Sequence, residues 1–164
     1  MGKPAARVTD AVMHPLPPVL GPGPGCPTVL IGGMPAWRGV PAAVGAAISS
    51  AKSVSDTTIK VAEAATLAAA GTPGLPAVKA AEETVKATAA TTMGATISSA
   101  AGGADIHVCA TLLPIPPHGP GVVIDGSLTV LIGGLSAARM GDTIVEAVGP
   151  PNKIMMGMMT VQIG

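Results

Sequence analysis

Three histidines and one cysteine are the side chains of this sequence with the most obvious chemistry. His14 lies near the start, His107 and Cys109 share the segment "DIHVC", and His118 follows "PIPP". A β-strand places residues i and i+2 on one face, so His107 and Cys109 are expected to point at one centre. Three imidazoles and a thiolate form a tetrahedral donor set for Zn²⁺, with iron as the weaker alternative. The other interpretation is that these histidines are buried without a metal.

The remaining sulfur-containing side chains are less informative. Cys26 is interpreted as a small buried residue, and the alternatives are that it replaces one of the proposed ligands or forms a disulfide with Cys109. Four methionines near the end are interpreted as apolar filler under a tip or against a partner, rather than a soft-metal site. They are Met155, Met156, Met158 and Met159.

Catalysis is not expected from these residues. A catalytic site would need a nucleophile, or a general base in a pocket, and no such arrangement is evident. Four protein ligands around a metal would also leave no open position for a substrate. Any metal site is therefore expected to be structural, and no enzyme is predicted.

The chain is built from repeated phrases. The phrase "TVLIGG" occurs twice and a shorter "TVQIG" closes the sequence, at residues 28–33, 129–134 and 160–164. Each follows an aspartate and a proline-rich stretch; the aspartates are Asp10, Asp105 and Asp142. Three linking segments, "PAAR", "PAWR" and "SAAR", lie at residues 4–7, 35–38 and 136–139. The repeats predict three copies of one structural unit.

Two departures interrupt the repeat pattern. The first and third links lead to an aspartate at the same spacing, as "RVTD" and "RMGD", whereas "PAWR" runs into a long insert instead of an aspartate. His14 is matched with His107 in the second phrase. At the matching place the third phrase has Ile144 and Val145, so it is expected to contribute no ligand.

The phrases predict a mainly β fold. "TVLIGG" is a short β-branched and aliphatic run ended by a glycine turn, and the proline-rich stretches suit extended segments or sheet edges. With 22 Gly, 17 Pro, no Phe, no Tyr and one Trp, the core must be thin. We expect a small cone or prism of short strands with pseudo-threefold symmetry and an interior of Val, Ile and Leu.

The insert at residues 41–104 has a different composition. It is rich in Ala, Ser and Thr, with a Gly/Pro cluster at 71–76. Alanine favours helix and Gly/Pro clusters end helices, so two helices are predicted near Ala42–Ala70 and Ala77–Ala100, joined as a hairpin. A flexible linker is the alternative. The predicted division is a discontinuous β cone of residues 1–40 and 105–164, and the helical hairpin of residues 41–104.

Charge and hydropathy narrow the function classes. The chain has 9 basic and 9 acidic residues and a formal net charge of zero, which argues against a nucleic-acid-binding protein. The uncharged run at 11–37 is broken by six prolines between residues 15 and 27, and the run at 87–104 is too weakly apolar for a confident membrane span. No secretory signal is recognisable at the start, which predicts folding in a reducing cytoplasm.

The motifs "PAARVTD" at 4–10 and "SAARMGD" at 136–142, with the repeated "TVLIGG", resemble those of the PAAR-repeat proteins. These proteins form the sharp tip of contractile injection machines such as the type VI secretion system. The resemblance covers nearly all of the chain except the insert. It implies a β cone whose base sits on a trimeric VgrG-type spike, with a metal near the vertex. The ligands it implies are His14, His107, Cys109 and His118.

The function expected from the resemblance is structural. One monomer would cap the trimer, sharpen it for membrane puncture with transient membrane contact, and help to carry effectors. The insert would dock an effector or adaptor. The alternative is an effector or membrane-active protein whose insert is the active or cargo-binding part. The protein is expected in the cytoplasm before firing and then delivered with the spike. No toxin domain is expected after the last phrase.

Overall fold

The computed structural model describes residues 2–14, 18–109 and 118–164. Short strands and two long helices make up this part of the chain. The strands are β1 (Lys3–Ala5), β2 (Cys26–Ile31), β3 (Met34–Ala36), β4 (Arg38–Gly39), β5 (His107–Cys109), β6 (Gly119–Val123), β7 (Leu131–Ile132), β8 (Leu135–Ala137), β9 (Thr143–Glu146), β10 (Asn152–Lys153) and β11 (Met158–Ile163). The helices are α1 (Ala42–Ala68) and α2 (Leu75–Ala100). The predicted fold class is therefore confirmed. Much of the two proline-rich stretches before residues 18 and 118 lies outside the described residues.

Each repeated phrase pairs with a linking segment. β2 pairs with β3 and β7 pairs with β8, and both are antiparallel hairpins. Their turns are alike: the two glycines have φ of 58° and 82° in the first hairpin, and 60° and 82° in the second. The third phrase, β11, pairs with β1, and Lys3 lies opposite Ile163. β1 and β11 therefore form a third antiparallel strand pair, which is equivalent to the two hairpins.

A ring of backbone hydrogen bonds joins the three linking segments. Ala6 N donates to Ala138 O at 2.9 Å, Ala138 N to Trp37 O at 3.0 Å, and Trp37 N to Ala6 O at 2.9 Å. These residues hold the same place in "PAAR", "PAWR" and "SAAR". A closed cycle of three equivalent bonds places them around a pseudo-threefold axis. All three are buried, and Trp37 fills the core beside Val12 and Ile144.

The insert forms a helical hairpin, so the flexible-linker alternative is wrong. The observed helices begin and end within a few residues of the predicted bounds. Ile48, Met93 and Ile97 bury their side chains against Val122 and Val145 of the β strands. The hairpin thus shares a core cluster with the β part, and the division into two domains stays a prediction. Neither helix has the length and apolar character that crossing a membrane requires.

Candidate metal centre

Four potential metal ligands converge from different parts of the chain. Their donor atoms all lie within 4.8 Å of one another. The residues are His14, Cys109, His118 and Glu146. Three of them, His14, Cys109 and Glu146, each lie four residues after the repeated aspartate of their own phrase. The three repeats therefore each supply one donor to the same centre, and His118 adds a fourth.

Distances within the cluster suit a tetrahedral cation. Glu146 Oε2 lies 2.9 Å from His118 Nδ1 and 3.4 Å from His14 Nε2. Cys109 Sγ lies 3.4 Å from His14 Nε2, which is 3.2 Å from His118 Nδ1. Tetrahedral bonds of about 2.0–2.3 Å to zinc separate neighbouring ligands by roughly 3.3–3.8 Å. The donor separations, from 2.9 Å up to 4.8 Å, thus bracket the spacing that a shared zinc ion would impose.

Burial leaves these donors few other partners. Cys109 and Glu146 are fully buried, the His14 side chain is 2% exposed, and the His118 side chain is 22% exposed. Asn152 Nδ2 lies 2.9 Å from both His14 Nε2 and Glu146 Oε2. Several lone pairs thus face one point away from water, an arrangement that a bound cation would stabilise. Nitrogen, sulfur and carboxylate oxygen are all ligands that zinc accepts, so the residues fit the expected metal.

His107 is placed beside this cluster rather than among its four donors. It is fully buried, and its Nε2 lies 3.5 Å from Glu146 Oε1, whereas His14 and His118 lie near the other carboxylate oxygen, Oε2. Neither ring nitrogen of His107 has a hydrogen-bond partner in the described residues, and neither does Glu146 Oε1. His107 and Cys109 do share the inner face of β5, as predicted, with Val108 exposed between them. The predicted ligand set as a whole stays a prediction.

Glu146 is the member of the cluster that the sequence analysis missed. The expectation that the third phrase contributes no ligand matches Ile144 and Val145 with a histidine, whereas the structure places Glu146 of that phrase among the potential ligands. Counting four residues from the repeated aspartate places Glu146 opposite His14. The same count makes His107 the equivalent of core residue Ile144, two residues after the aspartate. This spacing is visible in the sequence. Aligning His14 with His107 hides it, because the two histidines lie four and two residues after their aspartates.

The charge of Glu146 is set by its surroundings. Burial raises the pKa of its carboxyl group, but His107, His14 and His118 outweigh this effect and hold the pKa below its usual value. Glu146 is therefore a carboxylate, the form that binds a metal.

Cys26 lies outside the cluster. It is buried with Ile31 and Ile132, its Sγ lies 3.3 Å from Thr28 Oγ1, and both cysteines are free. The structure thus has the small buried residue of the first interpretation and no disulfide to Cys109.

Three repeats around a pseudo-threefold axis, with a buried donor cluster, define a small β-repeat protein with one insertion. A family model, the PAAR motif, matches residues 113–164. This match covers less than half of the chain, confirms the predicted resemblance to PAAR-repeat proteins over those residues, and supports in general terms a role associated with the spike tip of a type VI secretion system. Comparisons with curated proteins and with solved structures gave no match.

Proposed function

We propose that this protein caps a trimeric VgrG-type spike through an apolar base. The supporting observation is a surface that repeats with the pseudo-threefold axis. One isoleucine from each of the strands β2, β7 and β11 packs into a shared apolar cluster. These isoleucines are 7%, 7% and 6% exposed. The residues are Ile31, Ile132 and Ile163.

The neighbouring apolar side chains on these strands remain in solvent. Leu30 and its repeat equivalent Leu131 are both 59% exposed, and the equivalent pair Leu128 and Met159 is 78% and 67% exposed. Exposed apolar side chains grouped in this way mark a contact surface. A trimer presents three equivalent edges, and a monomer with three similar strands matches all of them at once.

A substitution in this apolar surface tests whether the protein binds the spike trimer through it. Leu131→Asp should leave the unfolding transition near its wild-type value and abolish co-purification with the spike trimer. Leu67→Asp is the matched control, because Leu67 is 77% exposed on the helical hairpin. Equal spike binding by Leu131→Asp and wild type would overturn the proposed base.

The second part of the proposal is that Zn²⁺ holds the three repeats together near the vertex. His14, Cys109 and His118 would be ligands, and geometry favours Glu146 over His107 as the fourth. When bound, the ion would supply a rigid cross-link with no open coordination position. This would compensate for a thin, nearly aromatic-free core.

Two variants distinguish the fourth ligand. Glu146→Gln should lower the zinc content of purified protein, measured by elemental analysis. His107→Val should retain it, since Val12 fills the equivalent place in the first repeat. The opposite result would restore His107 as the ligand, and a folded wild type without metal would remove the site altogether.

The helical hairpin is the proposed dock for an effector or adaptor. Val54, Val61 and Leu67 of α1 are 70%, 66% and 77% exposed, and they offer apolar contacts away from the base. Deleting the hairpin should spare spike binding and remove a cargo partner in pull-downs. The alternative of a membrane-active insert predicts leakage from liposomes treated with the full chain. In this proposal the protein is not an enzyme, and it leaves the cytoplasm with the spike.

A further inference from the structure

Lys52 lies among the buried residues of helix α1. The other buried positions of this helix are Gly45, Ile48 and Ile59, and Lys52 lies among them with 4% of its surface exposed. Burying a cation is unfavourable unless it gains partners, so packing alone would select an aliphatic residue here. Lys52 pairs with Asp56 on its own helix.

The second partner of Lys52 belongs to the β part. Its Nζ donates a hydrogen bond of 2.9 Å to Gly149 O. Gly149 lies in the loop between β9 and β10, so this bond connects the insert to the third repeat. The β9 end of the same loop is Glu146 of the donor cluster.

Gly149 lies directly against the ring of His118. Its φ is +90°, and a Cβ at this position would come within 3.0 Å of His118 Nε2 and 3.1 Å of Cε1. The neighbouring residue holds the main chain, because Val148 N donates to His118 O at 3.1 Å. The loop therefore fixes both the backbone and the ring of the most exposed donor in the cluster.

We propose that Lys52 is a positioning residue for the metal centre. It holds the Gly149 peptide against the ring of His118, so the helical insert helps to set the geometry of a site whose donors all lie outside it. This inference rests on the proposed zinc site. Groups that orient metal ligands typically contribute about 10- to 100-fold to affinity.

Lys52→Met removes the donor and keeps the length of the side chain. We expect zinc affinity, measured by chelator competition, to fall about tenfold. The absorption spectrum of the Co²⁺-substituted protein should change, while the circular dichroism stays that of wild type. Lys52→Arg should restore much of the affinity. Lys60→Met, at an exposed lysine of the same helix, should change neither measurement.

A second pair of variants covers the case in which Lys52→Met does not fold. Gly149→Ala introduces the contact with His118, whereas Gly71→Ala has a similar strain, at φ +78°, and no atom within 4 Å. Gly149→Ala should weaken zinc binding and Gly71→Ala should not. Wild-type affinity and cobalt spectrum in both Lys52→Met and Gly149→Ala would overturn the proposal. A wild type that binds no zinc would instead overturn the metal site itself.

Discussion

Arg38 and Asp105 form a bidentate ion pair although 67 residues separate them. The backbone N–H of Arg38 donates to the same carboxylate at 2.8 Å. Arg7 makes the same three bonds to Asp10, and Arg139 makes them to Asp142, each across three residues. The insert therefore lies inside a turn that all three repeats share, and the ion pair of that turn is kept. In the sequence "PAWR" runs into the insert instead of an aspartate, and in the structure Asp105, which follows the insert, takes the place of that aspartate.

Deletion of residues 41–104 should leave a β protein that still folds. It joins Arg38-Gly39-Val40 to Asp105 and restores the spacing of "RVTD" and "RMGD". The melting temperature should fall, because the deletion exposes apolar residues such as Val122 and Val145. Circular dichroism and thermal unfolding measure both effects. A disordered product at every temperature would show that the β repeats depend on the hairpin.

A glycine at position 40 should stabilise that deletion variant. The equivalent residues, Thr9 and Gly141, have φ of 73° and 86°, and a β-branched valine is strained in this region. Val40→Gly in the deletion background should raise the free energy of unfolding by about 1 kcal/mol. Urea denaturation compares the two deletion variants. No gain would mean that the rejoined turn takes another conformation.

Thr9→Gly should stabilise the full-length protein. Thr9 is the non-glycine residue with positive φ in the described part of the chain, at 73°. Relief of this strain should stabilise the folded protein by about 1 kcal/mol. The greater entropy of glycine in the unfolded chain offsets part of this gain. Gly141→Thr is the reverse change in the third repeat and should destabilise. If urea denaturation gives both variants the same sign, the two turns are not equivalent.

Asp105→Asn should destabilise the protein as strongly as Asp10→Asn. Each leaves a largely buried guanidinium without its carboxylate; the Arg38 side chain is 15% exposed and that of Arg7 is 19% exposed. Loss of one partner of such a pair costs about 3 kcal/mol. Urea denaturation of both variants measures the cost. A much smaller cost for Asp105→Asn would show that the long-range pair does not hold the two ends of the insert.

The stability of the helical hairpin should decrease at alkaline pH because of Lys86. Burial lowers its pKa, but bonds to Glu63 at 2.8 Å and to Glu82 at 2.5 Å outweigh burial and raise the pKa. The stabilisation is therefore complete below the ordinary lysine pKa of about 10.4 and is lost as pH rises through the raised value. Lys86→Gln should cost about 1 kcal/mol at pH 7. This difference from wild type should shrink as the pH rises through the raised pKa of Lys86. Lys79→Gln, at an exposed lysine of the same helix, should differ little from wild type.

The sequence by itself determined the repeats, the β strands and the helical insert. A phrase of aliphatic residues ended by two glycines specifies a hairpin locally, and an alanine-rich run specifies helix, so both could be read without a partner. His14, Cys109 and His118 were likewise recognised as potential ligands from their side-chain chemistry.

Tertiary structure alone decided which residues meet. Glu146 joins the donors and Asp105 pairs with Arg38 because the pseudo-threefold axis brings equivalent positions together, whatever their separation along the chain. The contact of Lys52 with Gly149 has no local signal, since it joins a helix to a loop 97 residues away. Such contacts depend on how the helices, strands and loops pack together, and packing is a property of the whole fold rather than of any one segment.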